Sequence, residues 1–451
     1  MITKSKEAMK RLSILVVLAL PAMLEAMADN KLWTLRECED YAIAHNITVK
    51  QSEVAREKQA YALSTARNSR LPNLSGTLNE GLSFGRGLTA ENIYEKTNTS
   101  NTSLQLQTAV PLFTGFEIPE NIKFNRLNLE ALTEDLEKAK NDIRMQVAKA
   151  YVQILYNQEI AAVAHRQITI DSMQVVRLTA FVNNGKASVS ELSQQEATLA
   201  SSRLTATQAD NTLRMSVLTL TQLLELPTPE GFYIVTPNLD DLNAIENVKL
   251  MTPDDIYAEA ITFKPEIVSE QLRLKSREHS INVAKAGYYP KLNLTAGLGS
   301  NYYTTSSRDS DPFGRQLKNN FSQSINFSLN IPIFSRFQVR NNVRSARADH
   351  LNQELKLENA KKTLYKDIQQ VYYNALNAHS KERSSKEAMQ STEDAFTLMQ
   401  AKYENGKATI TEFNEAKNKY LKAESDFVQA RYERLYQSAL LDFYRGKDLD
   451  F

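Results

Sequence analysis

Five histidines, His45, His165, His279, His350 and His379, and one cysteine, Cys38, are the residues best able to hold a metal or to act as base or nucleophile. Their spacing supports neither role. The histidines are scattered, with no HExxH pair, and read as helix-surface residues. A single cysteine makes no CxxC site and no internal disulfide. It reads as a small apolar residue on a packed helix. No P-loop and no GxSxG elbow occurs. We therefore expect no catalytic residue, no metal site and no cofactor. Of 451 residues, 54 are Lys or Arg and 53 are Asp or Glu, so the basic excess of a nucleic-acid-binding chain is absent.

What such residues do depends on the elements that carry them. Lys4, Lys6, Lys10 and Arg11 precede an apolar run from Leu12 to Leu24, and Ala26-Met27-Ala28 follows as a cleavage signal. Residues 1–28 read as a signal peptide with Asp29 as the mature start. Cys38 lies beyond that cut, so it is not a lipidated first residue. After the cut, no run approaches the roughly 18 apolar residues of a membrane helix. Any crossing of a bilayer would have to be made by β-strands. Only 13 residues are Gly, and Ala, Leu, Glu, Lys and Gln are abundant, which favours long helices.

The chain is written twice. Pro72 and Pro290 lie 218 residues apart, in Leu71-Pro72-Asn73-Leu74 and Tyr289-Pro290-Lys291-Leu292. Further on the offset is 221: Val110-Pro111-Leu112-Phe113 matches Ile331-Pro332-Ile333-Phe334, Tyr151 matches Tyr372, and Asn184-Gly185-Lys186-Ala187 matches Asn405-Gly406-Lys407-Ala408. A constant offset on each side of one small change marks an internal repeat. The expected division is a first repeat over residues 29–226, a connecting segment over 227–250, and a second repeat over 251–451. Each repeat reads as helix, two strands, long helix, turn, return helix. The first helices are expected over about 35–69 and 253–287. The long helices are expected over about 119–181 and 339–403, and the return helices over about 189–226 and 410–443. A return helix and a first helix must stack end to end to match one long helix, which rises about 95 Å.

The strands alternate. Leu104, Leu106, Thr108 and Val110 share one face against Ser103, Gln105, Gln107 and Ala109. Ile325, Phe327, Leu329 and Ile331 oppose Ser324, Asn326, Ser328 and Asn330. Leu74, Leu78, Leu82 and Phe84, then Leu292, Leu294, Leu298 and Tyr302, behave alike. The polar face carries uncharged amides and hydroxyls, as a pore lining does, so Gln105, Gln107, Asn326 and Ser328 are candidate lumen residues. A sheet on a soluble core would show the same period. Four strands are too few to close a barrel, and an open edge is not tolerated in lipid, so membrane strands would require several chains around one barrel. The polar stretches 86–101 and 304–320 read as long loops.

The ordered strand starts, strand exits and paired Asn-Gly-Lys-Ala turns, found twice, resemble the TolC family of outer-membrane efflux proteins. The likeness covers nearly the whole mature chain. It implies a mainly α fold with a transmembrane β part: a long antiparallel coiled-coil tunnel, and four membrane strands per chain completing a twelve-stranded barrel in a homotrimer. It implies an outer-membrane duct that extends into the periplasm and works with a periplasmic adaptor and an inner-membrane transporter. It implies adaptor contacts at the turns Gly185, Lys186, Ala187 and Gly406, Lys407, Ala408. It implies an aperture ring at Glu412 and Glu415, with Glu191 and Gln194 as the counterparts in the first repeat. The family's latch arginine falls on Ala408, while its tyrosine partner is met by Tyr403. Lys407 or packing would then have to replace the latch. The competing readings are an outer-membrane component of type I protein secretion and a non-transporting periplasmic coiled-coil or adaptor protein. An adaptor usually carries one hairpin in a β-rich chain, whereas two hairpins are written here.

Overall fold

A computed structural model describes residues 31–88, 92–237, 251–306 and 308–449. The expected signal peptide, and residues 238–250 of the connecting segment, lie outside the described residues. The elements in chain order are β1 (Leu32–Trp33), α1 (Leu35–His45), α2 (Ile47–Asn68), β2 (Asn73–Ser83), β3 (Arg86–Leu88), β4 (Tyr94–Lys96), β5 (Thr99–Phe113), α3 (Glu117–Asn183) and α4 (Val189–Leu223). They continue as β6 (Tyr233–Ile234), α5 (Pro253–Phe263), α6 (Pro265–Lys285), β7 (Lys291–Thr305), α7 (Phe313–Asn319), β8 (Ser322–Asn330), α8 (Gln338–Glu404) and α9 (Ile410–Tyr444). The long helices α3 and α8 have 67 residues each, and the return helices α4 and α9 have 35 each.

The first helices differ from expectation: each is broken. Asn46 separates α1 from α2 with an extended backbone, and its side-chain oxygen accepts from the Thr48 N–H at 2.9 Å, which starts a new helix. Lys264 is likewise extended (ψ 124°), because Pro265 follows it. The two polar stretches read as loops also hold structure: β3 pairs with β4 in one, and α7 occupies the other.

Two compact units emerge, and neither follows a repeat boundary. Among the described residues, one comprises those within 52–136 and 264–361; the other comprises those up to Gln51, those within 137–263 and those from Lys362 onward. In the first, one antiparallel sheet runs in the order β2-β5-β7-β8. Its register puts Leu78 opposite Leu104, Leu106 opposite Leu298, and Leu294 opposite Phe327. Paired residues share a face, so the four apolar sets form one surface. The same register brings Gln105 opposite Gly299 and Asn326 opposite Thr295 on the other face. Glu80 interrupts the apolar surface, and accepts from the Ser100 and Thr102 hydroxyls.

The strand exits are strained alike. Gly115 and Phe116 have φ of 65° and 69°, and Arg336 and Phe337 have 50° and 61°. Aromatic packing holds both phenylalanines there: Phe116 meets Phe113 and Tyr289 edge-on, and Phe337 meets Phe334. Side chains in this region cost about 1–2 kcal/mol each, so the exits are over-determined by their neighbours.

In the second unit, the Thr34 hydroxyl and the Glu37 carboxylate form a capping box on α1. β1 pairs with β6, and the Tyr151 hydroxyl donates to the Val235 carbonyl at 2.6 Å and to the Trp33 carbonyl at 3.2 Å. The end of α4 meets the start of α2: the Asn46 amide donates to the Leu223 carbonyl at 3.0 Å, and the Ile47 N–H donates to the Glu225 carboxylate at 3.2 Å. Cys38 is fully buried, and burial pushes its thiol up to about 12. Among the described residues, no helix is long and apolar enough to cross a membrane.

Candidate functional site

The turn α3–α4 and the turn α8–α9 are built alike. At the first, the Lys186 N–H donates to the Phe181 carbonyl at 2.8 Å and the Gly185 N–H to the Val182 carbonyl at 3.0 Å. At the second, the Lys407 N–H donates to Lys402 at 2.8 Å and the Gly406 N–H to Tyr403 at 3.1 Å. This helix stop needs a left-handed residue, and Gly185 (φ 65°) and Gly406 (φ 72°) supply it. A Cβ at either glycine would meet open space, so only backbone strain opposes it. Gly406→Ala should therefore cost about 1–2 kcal/mol, and Gly406→Asn less, as read by hydrogen exchange at the last turn of α8. Equal cost for both would remove the left-handed backbone as the cause.

The helices after these turns start on capping boxes. Glu191 returns its carboxylate to the Ser188 N–H at 3.0 Å, and Glu412 returns its own to the Thr409 N–H at 2.8 Å. That backbone N–H, and then the Thr409 hydroxyl, hold the Glu412 carboxyl below its ordinary value of 4.5. A depressed carboxylate stabilises the helix start above that value and stops doing so as pH falls through its lower folded value. Glu415 is exposed and pairs with Lys419 at 2.7 Å, while Gln194 is exposed on α4.

The structure brings some of the expected residues together and not others. Tyr403, Leu178, Phe396, Ile410 and Phe413 form a buried cluster, against which Ala187 and Ala408 pack. Tyr403 stacks on Phe413 at 5.0 Å, and burial raises its hydroxyl above the ordinary value. Gly185, Lys186, Gly406 and Lys407 lie exposed at the turns, and Glu191, Gln194, Glu412 and Glu415 lie exposed beyond them. The cation beside Tyr403 is Arg177. Arg177 lies 5.2 Å from the Tyr403 ring centroid, also covers Phe181, and donates to the Glu404 carbonyl at 3.0 Å. A cation at the last carbonyls of α8 is favoured by the helix dipole.

This arrangement of paired hairpins and an open sheet has known relatives. The family model described as "Outer membrane efflux protein" matches residues 40–225 and 256–447. The chain belongs to that family. It is 23% identical over 441 residues to outer membrane protein TolC of Escherichia coli strain K12, covering 94% of this chain and 84% of the relative. It is 24% identical over 316 residues to the pyoverdine export outer membrane protein OpmQ of Pseudomonas aeruginosa, covering 69% and 62%. Its fold matches that of a membrane protein from Pseudomonas aeruginosa at TM-score 0.77 and 18% identity, over 92% of each chain. It matches the open state of the MtrE outer membrane channel of Neisseria gonorrhoeae at TM-score 0.74 and 18% identity, over 92% and 89%. Outer membrane efflux proteins are channels and not enzymes, so this chain is an outer-membrane export channel.

Sequence reasoning missed a fully buried ion pair of this efflux protein. Asp171 on α3 and Lys417 on α9 are both 0% exposed and form an ion pair. The Ser202 hydroxyl donates to Asp171 at 2.5 Å, and the Gln195 amide donates to it at 3.3 Å. Asn414 in turn donates to Gln195 at 2.9 Å. The network ties the first hairpin to the second. One signal was available: Ile410, Phe413, Lys417 and Leu421 follow the apolar spacing of one helix face, and a lysine stands in that stripe.

Proposed function

We propose that this chain is one protomer of a homotrimeric duct, in which four strands from each chain close a twelve-stranded barrel in the outer membrane. The observation that carries the reading is the sheet itself. Its apolar surface is bare: Leu74 and Ile325 are each 72% exposed and Phe327 is 68% exposed. Its edge strands β2 and β8 pair with nothing further among the described residues. Lipid covers such a surface but tolerates no open edge, so strands of other copies must complete it. Gln105, Gln107, Asn326 and Ser328 then line the lumen.

The hairpin ends form the periplasmic end of the duct. Its exposed turns at Gly185–Ala187 and Gly406–Ala408 meet a periplasmic adaptor, which couples the duct to an inner-membrane transporter. Glu412 and Glu415, three residues apart on one helix, ring the aperture with Glu191 and Gln194 behind them. Like charges about 4 Å apart repel by roughly 1 kcal/mol in water and about 4 kcal/mol at an effective dielectric of 20. Packing around Tyr403, held by Arg177, opposes that repulsion. The repeat division at residues 29–226 and 251–451 gives each hairpin one copy.

Mass measurement of detergent-extracted protein should give three chains, and the same preparation should conduct in a planar bilayer. Divalent cations added on the periplasmic side should block the current. Glu415→Gln, which leaves the Glu412 capping box intact, should weaken the block several-fold. A conducting monomer would refute the shared barrel, and an unchanged block would remove Glu415 from the aperture. A chain released from membranes by salt would favour the adaptor reading instead.

A further inference from the structure

At the foot of the sheet, the end of α6, the tyrosines that follow it and the first turns of α8 border an open cavity of about 360 Å³ lined by Lys285, Tyr288, Tyr289, Arg340, Arg344 and Arg347. The three arginines recur at helical spacing on one face of α8. Among the described residues, no carboxylate is paired with any of the four cations. The first repeat treats the equivalent positions differently. At the 221 offset, Arg344 and Arg347 correspond to Lys123 and Arg126. Lys123 is paired with Glu120 at 2.8 Å, and Arg126 with Glu130 at 3.8 Å. Asn341 and Leu351 stand where the second repeat would need those glutamates. The second repeat therefore carries the cations without their anions.

The surroundings say which anion. Arg340 lies over the Phe337 ring at 5.7 Å, and Phe337 meets Phe334 at 5.5 Å. Tyr289 meets Phe116, which meets Phe113, a residue paired with Leu292 on the apolar face of the sheet. Exposed aromatics thus run from the apolar surface to the cationic cavity: Phe334 is 71% exposed and Phe337 is 57% exposed. Aromatic girdles mark the level of lipid headgroups on membrane barrels, and arginine forks fit phosphate oxygens. We propose that this cavity binds the phosphate of an anionic phospholipid in the leaflet where the strands leave the membrane. The inference rests on the membrane-duct reading above.

The test is native mass spectrometry of the detergent-extracted full chain, titrated with phosphatidylglycerol, phosphatidylcholine and inorganic phosphate. Phosphatidylglycerol should bind at least about 10-fold more tightly than phosphatidylcholine, and inorganic phosphate should not displace it. Arg344→Gln with Arg347→Gln should weaken its binding about 10-fold or more, with oligomer mass and conductance unchanged. Lys123→Gln with Arg126→Gln, whose cations are already paired, should leave it unaltered. Equal binding of the two lipids, displacement by free phosphate, or an unaffected arginine variant would each overturn the proposal. A chain that inserts and conducts without lipid preference overturns the inference alone; a chain that never enters a bilayer overturns the duct reading as well.

Discussion

Lys417→Met is expected to loosen the association of the two hairpins by about 3–5 kcal/mol, because it leaves the Asp171 carboxylate buried without its counter-ion. Hydrogen exchange through local opening at the start of α9 should speed up by about 100-fold or more at that cost. Asp171→Asn added to Lys417→Met should recover most of the loss, because a neutral amide can accept from the Gln195 amide through its oxygen and donate its NH2 to the Ser202 hydroxyl, which donates in turn to the Thr198 carbonyl. Lys419→Met is the control: it breaks the exposed Glu415 pair, worth about 0.3–0.5 kcal/mol. If Lys417→Met and Lys419→Met have similar effects, the buried pair does not hold the hairpins together. The comparison separates burial from charge, since both variants delete one lysine from one helix.

The second large effect belongs to the sheet. Phe327 stands on the apolar surface opposite Leu294, and Asn326 stands on the polar face opposite Thr295. On the proposed duct, Phe327→Lys puts a cation in lipid and should cost about 2–4 kcal/mol near the bilayer midplane. Asn326→Lys puts the same cation in a wet lumen and should assemble almost normally, with altered ion selectivity. The measurement is the yield of heat-modifiable oligomer in the outer-membrane fraction. Similar yields from both variants would show that the two faces do not divide lipid from lumen.

The sequence alone carried the features that are periodic or repeated. Period-two alternation in Leu104–Val110 and Ile325–Ile331 was enough to sort each strand into two faces, because side chains alternate whatever the strand pairs with. Uninterrupted helical spacing was enough to find the long helices, whose observed ends at Glu117–Asn183 and Gln338–Glu404 differ from the expected ones by one or two residues. Gly185 and Gly406 marked the turns because a left-handed helix stop favours glycine.

Tertiary structure decided what depends on partners distant in the chain. The break at Asn46 is sealed by Leu223 and Glu225, which lie more than 170 residues away, and no local signal outweighed the helical pattern around it. Lys264 was legible in principle, since Pro265 follows it, yet the apolar spacing on both sides hid the break. The register that merges four apolar sets into one surface is a property of pairing, and each strand by itself is silent on its neighbour. The Asp171–Lys417 pair joins residues 246 apart, and Arg177 reaches the Glu404 carbonyl across 227. Charges in a helix sequence read as solvated until a second helix removes the water around them. That removal, which no single segment specifies, separates Lys417 from Lys419.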